Sequence, residues 1–376
     1  MTSTATQRHI VCVVGARPNF MKIAPIMRAV AATEGLRATL VHTGQHYDAA
    51  MKASFFDQLH IPEPDVDLGV GSGSHTEQTA NTMLRFEPVL DEHRPDAVLV
   101  VGDVNSTIAC ALVAVKKGIP IVHVEAGLRS GDRAMPEEIN RILTDQISDV
   151  LFTTEHSALD NLVREGISED KVVFAGNVMI DTLLYNLADA VPAADTRAAA
   201  ADASESHSSA GDYGLLTLHR PSNVDDPDTL ARLVAVLVEI SAELPLVFPV
   251  HPRTRARLAD AGLDAALAAA PITLLPPQGY REMLGLMREA KAVFTDSGGI
   301  QEETTALGVP CITLRESTER PITVEAGTNV VVGTDPSAIR AAWETVRDGH
   351  GKAGRQPQGW DGHAAERIVQ ALLTRL

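Results

Sequence analysis

Short runs of β-branched and apolar residues alternate with longer amphipathic stretches from one end of the chain to the other. In the first half, runs over 9–14, 38–42, 97–101, 119–124, 150–153 and 171–175 have the length and Val/Ile content of strands buried on both faces. Between them, residues 21–32, 76–93, 106–117, 137–147 and 157–165 read as helices with one buried face. The second half repeats the plan, with strands over 215–218, 246–250, 272–275, 292–295 and 311–314 and a further helix over 337–347. This alternation predicts βαβ crossovers, and therefore an α/β fold of two Rossmann-like domains with parallel sheets. A tract rich in Ala, Ser and Asp over 188–212 has no strand pattern and reads as a linker, or as the extension of a helix from Asp181. The expected division is a first domain over 1–187, the linker region, a second domain over 213–360, and a last helix within 361–376 that packs back toward the first domain.

Composition narrows the picture. The 376 residues suit two domains that each bury a core. With 45% hydrophobic, 22% charged and only 4% aromatic residues, the core must be built of Val, Ile, Leu and Ala. A net charge of −17 argues against nucleic acid as a partner, because phosphate backbones need a basic surface. An anionic small molecule is compatible with it, since a few arginines in a cleft set the local field. Cys12, Cys110 and Cys311 each lie in an apolar run, without the spacing of a disulfide framework or a metal site. The N-terminus lacks a signal-peptide run, and the apolar stretch over 97–115 is interrupted by Asp103, Asn105 and Ser106. A cytoplasmic protein with no membrane segment is the expectation.

Ligands on open parallel sheets bind beyond the carboxyl ends of the strands, so polar residues that directly follow apolar runs are the candidates. After the first strand comes Gly15-Ala16-Arg17-Pro18-Asn19-Phe20-Met21-Lys22, where a phosphate could rest at a helix start with Arg17 and Lys22 adding charge. An ordinary strand-to-helix turn accounts for it equally well, and it is neither a dinucleotide fingerprint nor a P-loop. Gly102-Asp103 has the same plan, and Asp103 is either a helix cap or an acid. Glu125 ends a buried strand, where an ionised carboxylate must be paired or functional, and Arg129 is the expected structural partner. Glu137 and Glu138 follow Pro136 at a helix start, where carboxylates suit the dipole. His219 opens the second domain, either as a structural histidine or as a general acid. The most specific segment is Asp296-Ser297-Gly298-Gly299, whose paired glycines let backbone N–H groups approach a diphosphate. Glu303, one turn on, suits a ribose diol, and Arg320 adds a downstream cation.

In this order, GARPNFMK, TGQHYD, HVEAGLRSGD, MPEEINR, DSGGIQEE and TERP followed by EAGTN resemble the non-hydrolysing UDP-N-acetylglucosamine 2-epimerases. The resemblance implies a glycosyltransferase-B-like architecture with the active site in the inter-domain cleft, no cofactor, no metal, and a homodimer. By it, Arg17, Lys22, Gln278, Ser297, Gly298, Gly299, Glu303 and Arg320 match positions that hold UDP, and Asp103, Glu125, Glu137 and His219 match catalytic positions. Gln45 and His46 match part of an allosteric site for a second UDP-sugar, whereas GVGSGSHT over 69–76 lacks the Arg expected there. Around His219 and in His251-Pro252-Arg253-Thr254 the chain departs from the best-known members.

The chemistry agrees with the resemblance. No carbonyl adjoins C2 of an N-acetylhexosamine, so its proton becomes removable once UDP leaves C1. Inversion then needs acid–base groups on two faces, which Asp103, Glu125 and Glu137 can supply, with His219 on the leaving phosphate. The expected function is reversible interconversion of UDP-GlcNAc and UDP-ManNAc through a 2-acetamidoglucal, feeding bacterial surface polysaccharide. The alternatives are a hydrolysing 2-epimerase, an epimerase of a diacetamido uronic acid, a glycosyltransferase of this architecture, and a non-catalytic sugar-nucleotide sensor.

Overall fold

The computed structural model describes residues 7–44, 56–201 and 211–376. They form two compact units: Met1–Tyr185 with Gln358–Leu376, and Asn186–Pro357.

The first unit contains β1 (Arg8–Val14), β2 (Leu36–His42), β3 (Val66–Asp67), β4 (Ala97–Val101), β5 (Ile121–Val124), β6 (Val150–Thr153) and β7 (Val172–Phe174). All pairs are parallel, in the order β3-β2-β1-β4-β5-β6-β7. Every residue of β4 is buried, as the unbroken apolar run requires of a central strand covered on both faces. One face packs Val11, Val98 and Val100 against Phe86, Cys110 and Ala114. The chain returns at its end to this unit. Trp360 is fully buried, with Nε1 donating to the Thr154 carbonyl. The helix Ala364–Arg375 starts on the Asp181 carboxylate, which accepts from the Ala364 and Ala365 amides.

The second unit contains β8 (Gly214–Thr217), β9 (Leu246–Pro249), β10 (Ile272–Leu275), β11 (Ala292–Thr295), β12 (Cys311–Thr313) and β13 (Asn329–Val331), in the order β10-β9-β8-β11-β12-β13. Its core sets Leu216, Phe248 and Phe294 against Leu233, Leu237 and Trp343.

The strand order reverses between β1 and β4 in one sheet and between β8 and β11 in the other. Right-handed crossovers leave each such point in opposite directions, which opens a crevice beyond the strand ends. Gly15 and Gly102 flank the first crevice, and His219 and Asp296 the second.

The expected α/β class of two Rossmann-like sheets is what the chain adopts. Boundaries move for identifiable reasons. β5 starts at Ile121 rather than 119 because Pro120 has no N–H to give a ladder. The first helix runs Arg17–Ala31, beginning earlier than expected, with Pro18 in its first turn, where a fixed φ favours entry. β3 and β13 are too short to show a periodicity. Within the tract expected to be a linker, Ala193–Ala201 is helical and the Val191 amide donates to the Arg281 carbonyl at 3.1 Å. That stretch belongs to the second unit rather than forming a free tether. The three cysteines are buried and unbridged. Among the described residues, no helix is long and apolar enough to cross a membrane.

Candidate active site

At the first crevice, the turn after β1 is fastened by Asn19. Its Oδ1 accepts from the Gly15 and Ala16 amides at 3.3 and 3.0 Å, and its Nδ2 donates to the Val101 carbonyl at 2.9 Å. Two of the amides that a phosphate would have used are therefore occupied. Arg17 occupies the first helical position, and its side chain lies outside the described residues, as do Gln45 and His46.

Lys22, expected to hold UDP, is buried, with Nζ 2.7 Å from Glu125 Oε1. Lys22 is thus the partner of Glu125, and the expected pairing with Arg129 does not occur. Glu125 follows β5 at φ +74°, a left-handed conformation uncommon for a residue with a Cβ. Such strain costs about 1–3 kcal/mol and tends to gather at functional sites. It turns the chain so that both the Glu125 and Ala126 amides donate to the Phe152 carbonyl.

Asp103 does not cap a helix. The next helix begins at Asn105 with Val104 at the cap position, one residue too late for the Asp103 carboxylate. Asp103 Oδ2 instead accepts from Arg141 Nε and Nη2 at 3.0 and 2.9 Å, and Asn140 donates to its carbonyl at 2.9 Å. Gly102 carries the turn at φ +65°, and a Cβ there would come within 2.6 Å of Lys22 Nζ. Arg141 also pairs with Glu138, whose carboxylate accepts from the Ser130 and Gly131 amides. Glu138 is structural, as its place predicts. Glu137, at the start of the same helix Pro136–Ile147, is half-buried and has no hydrogen bond or ion pair among the described residues.

Behind these turns lies a network that sequence reasoning missed. His123, fully buried on β5, has Nε2 2.9 Å from the Gly102 carbonyl and Nδ1 2.6 Å from Asp145 Oδ1. Asp145 also accepts from the Gly127 amide and from Arg129, which is shared with Glu165. Burial pushes the Asp145 carboxyl up, but His123 and Arg129 outweigh it and hold the group below the ordinary aspartate range. A His and a Glu alternating at the end of a strand was the available signal. The carboxylate that answers the His lies on another helix, where sequence spacing does not reach.

At the second crevice, His219 Nδ1 is 2.9 Å from Asp296 Oδ1. Asp296 is fully buried and also accepts from the His219 and Arg220 amides and from Asn223. Burial raises its carboxyl, but His219 and those amides prevail and depress it. The ring is fixed through Nδ1 while its side chain stays 39% exposed, which leaves Nε2 available to a ligand.

The helix Gly298–Leu307 starts two residues after Asp296, and Ser297 at its cap position makes no side-chain cap. Its leading N–H groups have no intrahelical partner, as in any helix, and such a start can accept an anion. A Cβ at Gly298 would collide with Glu319 Oε1, so any larger residue must displace that carboxylate. Glu319 is held by Arg315 at 2.8 Å and Arg220 at 3.5 Å; burial raises its carboxyl, but Arg315 and Arg320 drive it well below the usual range. Arg320 is buried, with Nε 3.2 Å from Glu302. Glu303 is also buried and accepts the Tyr280 hydroxyl at 3.0 Å, so one oxygen of the expected ribose ligand is engaged within the protein. Gln278 is half-buried, with Nε2 on the Pro276 carbonyl. The second unit thus brings His219, Ser297, Gly298, Gly299 and Arg320 to one end of its sheet.

Comparison with known proteins identifies the family. A family model described as UDP-N-acetylglucosamine 2-epimerase matches residues 28–373. The chain is 43% identical over 363 residues to a UDP-N-acetylglucosamine 2-epimerase of Methanocaldococcus jannaschii, covering 96% of this chain and 97% of that protein. It is 41% identical over 369 residues to a UDP-2,3-diacetamido-2,3-dideoxy-D-glucuronate 2-epimerase of Pseudomonas aeruginosa, covering 96% and 99%. A crystal structure of the Methanocaldococcus jannaschii UDP-GlcNAc 2-epimerase in complex with UDP-GlcNAc and UDP matches with a TM-score of 0.88 at 42% identity, covering 97% of this chain and 99% of that one. Placed beside the acid-bearing turns and the open helix start, these matches lead to one conclusion: the chain belongs to the UDP-N-acetylglucosamine 2-epimerase family.

Proposed function

We propose that the protein interconverts UDP-GlcNAc and UDP-ManNAc by expelling UDP from C1 and re-adding it to a 2-acetamidoglucal. The observation that supports this reading is that Asp103 and Glu125 follow β4 and β5 and are each held by a cation, while Glu137 opens the helix whose Arg141 grips Asp103. Breaking C1–O leaves the pair of electrons on UDP, and the C2 proton goes to a carboxylate. Return of a proton to the opposite face of C2, with UDP re-adding at C1, completes the inversion.

Each unit has its own part. The second unit would hold UDP on the N–H groups of the Gly298–Leu307 helix, on Ser297 and with Arg320, with Gln278 and Glu303 toward the nucleoside. His219 would donate from Nε2 to the departing diphosphate, while Asp296 fixes its ring. Arg17 and Lys22 belong to the first unit; Lys22 reaches the reaction through Glu125. A homodimer that supplies UDP-ManNAc for surface polysaccharide follows from the family resemblance.

The test is NMR of the pure protein with UDP-GlcNAc in D₂O. The expected result is deuterium at C2 in a mixture of UDP-GlcNAc and UDP-ManNAc. Stoichiometric free UDP and free sugar would mean hydrolysis, and no change without an acceptor would mean a transferase or a binding protein. The Pseudomonas aeruginosa relative at 41% identity favours one second reading, a diacetamido uronic acid as the sugar. Comparing kcat/KM for the two UDP-sugars decides it.

A further inference from the structure

Both ring nitrogens of His123 and both carboxylate oxygens of Asp145 are engaged inside the protein. The Gly102 carbonyl has no proton to give, so His123 Nε2 is the donor in that 2.9 Å contact. Nδ1 faces a carboxylate at 2.6 Å, and that carboxylate already accepts from the Gly127 amide at 3.1 Å and from Arg129 at 2.7 Å. Those two donors, with His123 beside them, hold Asp145 below the ordinary aspartate range against its burial. With both nitrogens engaged and no exposed surface, His123 cannot exchange a proton with a substrate.

What the pair touches is informative. His123 holds the Gly102 carbonyl, and the next residue is Asp103. Asp145 holds the Gly127 amide, two residues after Glu125 in the same tight turn. Asp145 itself lies on the helix Pro136–Ile147, which carries Glu137 at its start and the Arg141 that grips Asp103. One buried hydrogen-bonded pair therefore ties together the three segments that bear the three acids. Its outer side is closed by Arg129, which passes the charge on to Glu165 at 2.6 Å.

We propose that His123 and Asp145 are positioning residues for the proton transfers at C2, a buried yoke that fixes the mutual placement of Asp103, Glu125 and Glu137. Inversion makes this placement critical, because one proton must leave one face of C2 and another must arrive on the opposite face. A displacement of about 1 Å in such a constellation costs on the order of 10²-fold in rate. The assignment of rate to the yoke rests on the epimerase reading above; the geometric coupling of the turns does not.

The variants are Asp145→Ala, Asp145→Asn and His123→Gln, made in the full chain. Asp145→Ala should lower kcat for epimerisation about 10²-fold while KM for UDP-GlcNAc and the Kd for UDP stay within threefold. Asp145→Asn can still accept from the Gly127 amide and donate to Nδ1 of a neutral ring, so it should recover at least tenfold of that loss. His123→Gln, whose amide can still donate to Gly102, should behave like Asp145→Asn. Amide hydrogen exchange on the same proteins provides a readout without substrate. Asp145→Ala should speed exchange in 101–106 and 125–130 together and leave the second unit unchanged. A folded Asp145→Ala protein with wild-type kcat would overturn the proposal, as would equal losses in the alanine and asparagine variants, or exchange that rises throughout the first unit. If the wild type fails to epimerise, the function reading falls, and the exchange pattern still decides whether the turns are yoked.

Discussion

The two sheets share the strand order around one kind of crevice, and both pair buried charges at their strand ends, yet the second also presents an uncapped helix start. In the first unit the acids are each tied to a neighbour: Glu125 to Lys22, Asp103 and Glu138 to the one Arg141, Asp145 to Arg129 and His123. A strained backbone at Glu125 is held by that packing. In the second unit the helix start is left uncapped, a ring nitrogen stays accessible, and three arginines surround Glu319. The difference suits the reaction proposed above. Proton transfer needs groups that do not move, and holding a diphosphate needs donors that are not yet used.

The largest test of this contrast is Lys22→Met. Removing one partner from a buried pair leaves an uncompensated charge, which costs about 3–5 kcal/mol. Urea denaturation followed by hydrogen exchange should place that loss in the first unit; a loss below about 1 kcal/mol, the range of a surface pair, would remove Lys22 as the anchor of Glu125. Asp296→Asn comes next. It keeps the shape but frees the His219 ring, and should cost kcat on the order of 10²-fold with UDP affinity little changed. An unchanged kcat would make the dyad structural.

Gly298→Ala should act on the grip alone. The added methyl must displace the Glu319 carboxylate, an overpacking of about 1–3 kcal/mol, read as a Kd for UDP about tenfold weaker by calorimetry. Tenfold loss in kcat with unaltered Kd would place the helix start in the chemistry instead. The smallest effect concerns acid. Asp145, Asp296 and Glu319 have folded values below their unfolded ones, so their contribution to stability is complete above about pH 4–5. It is lost as the pH falls through the unfolded values toward the folded ones. Unfolding free energy from pH 7 to pH 3 should therefore decline, and Glu319→Gln should flatten the decline.

Much of this was legible in the sequence, and the limits have a physical cause. A polar residue after an apolar run marks a strand end, so Gly15, Asp103, Glu125, His219 and Asp296 were all found as candidates at strand ends. The partners were not. Arg129, a nearby cation in the sequence, is the expected partner of Glu125, but residues 125–131 form a turn and loop and Arg129 pairs with Asp145 and Glu165 instead. The true partner, Lys22, is separated by 103 positions, and only the crossover from β1 to β4 brings it near. Asp296 was noted as part of a glycine-rich segment, and its role in orienting His219 depends on β8 and β11 being neighbours in the sheet. Pairing across a sheet is set by strand order, which local pattern does not encode.

The division of labour is tested most directly by Asp103→Asn, with C2 deuterium exchange and UDP affinity measured on the same preparation. The account predicts that exchange falls by more than about 10³-fold while the Kd for UDP stays within threefold of wild type. A Kd that weakens in step with the exchange rate would contradict it, making Asp103 part of the fold or of the grip and not of the chemistry.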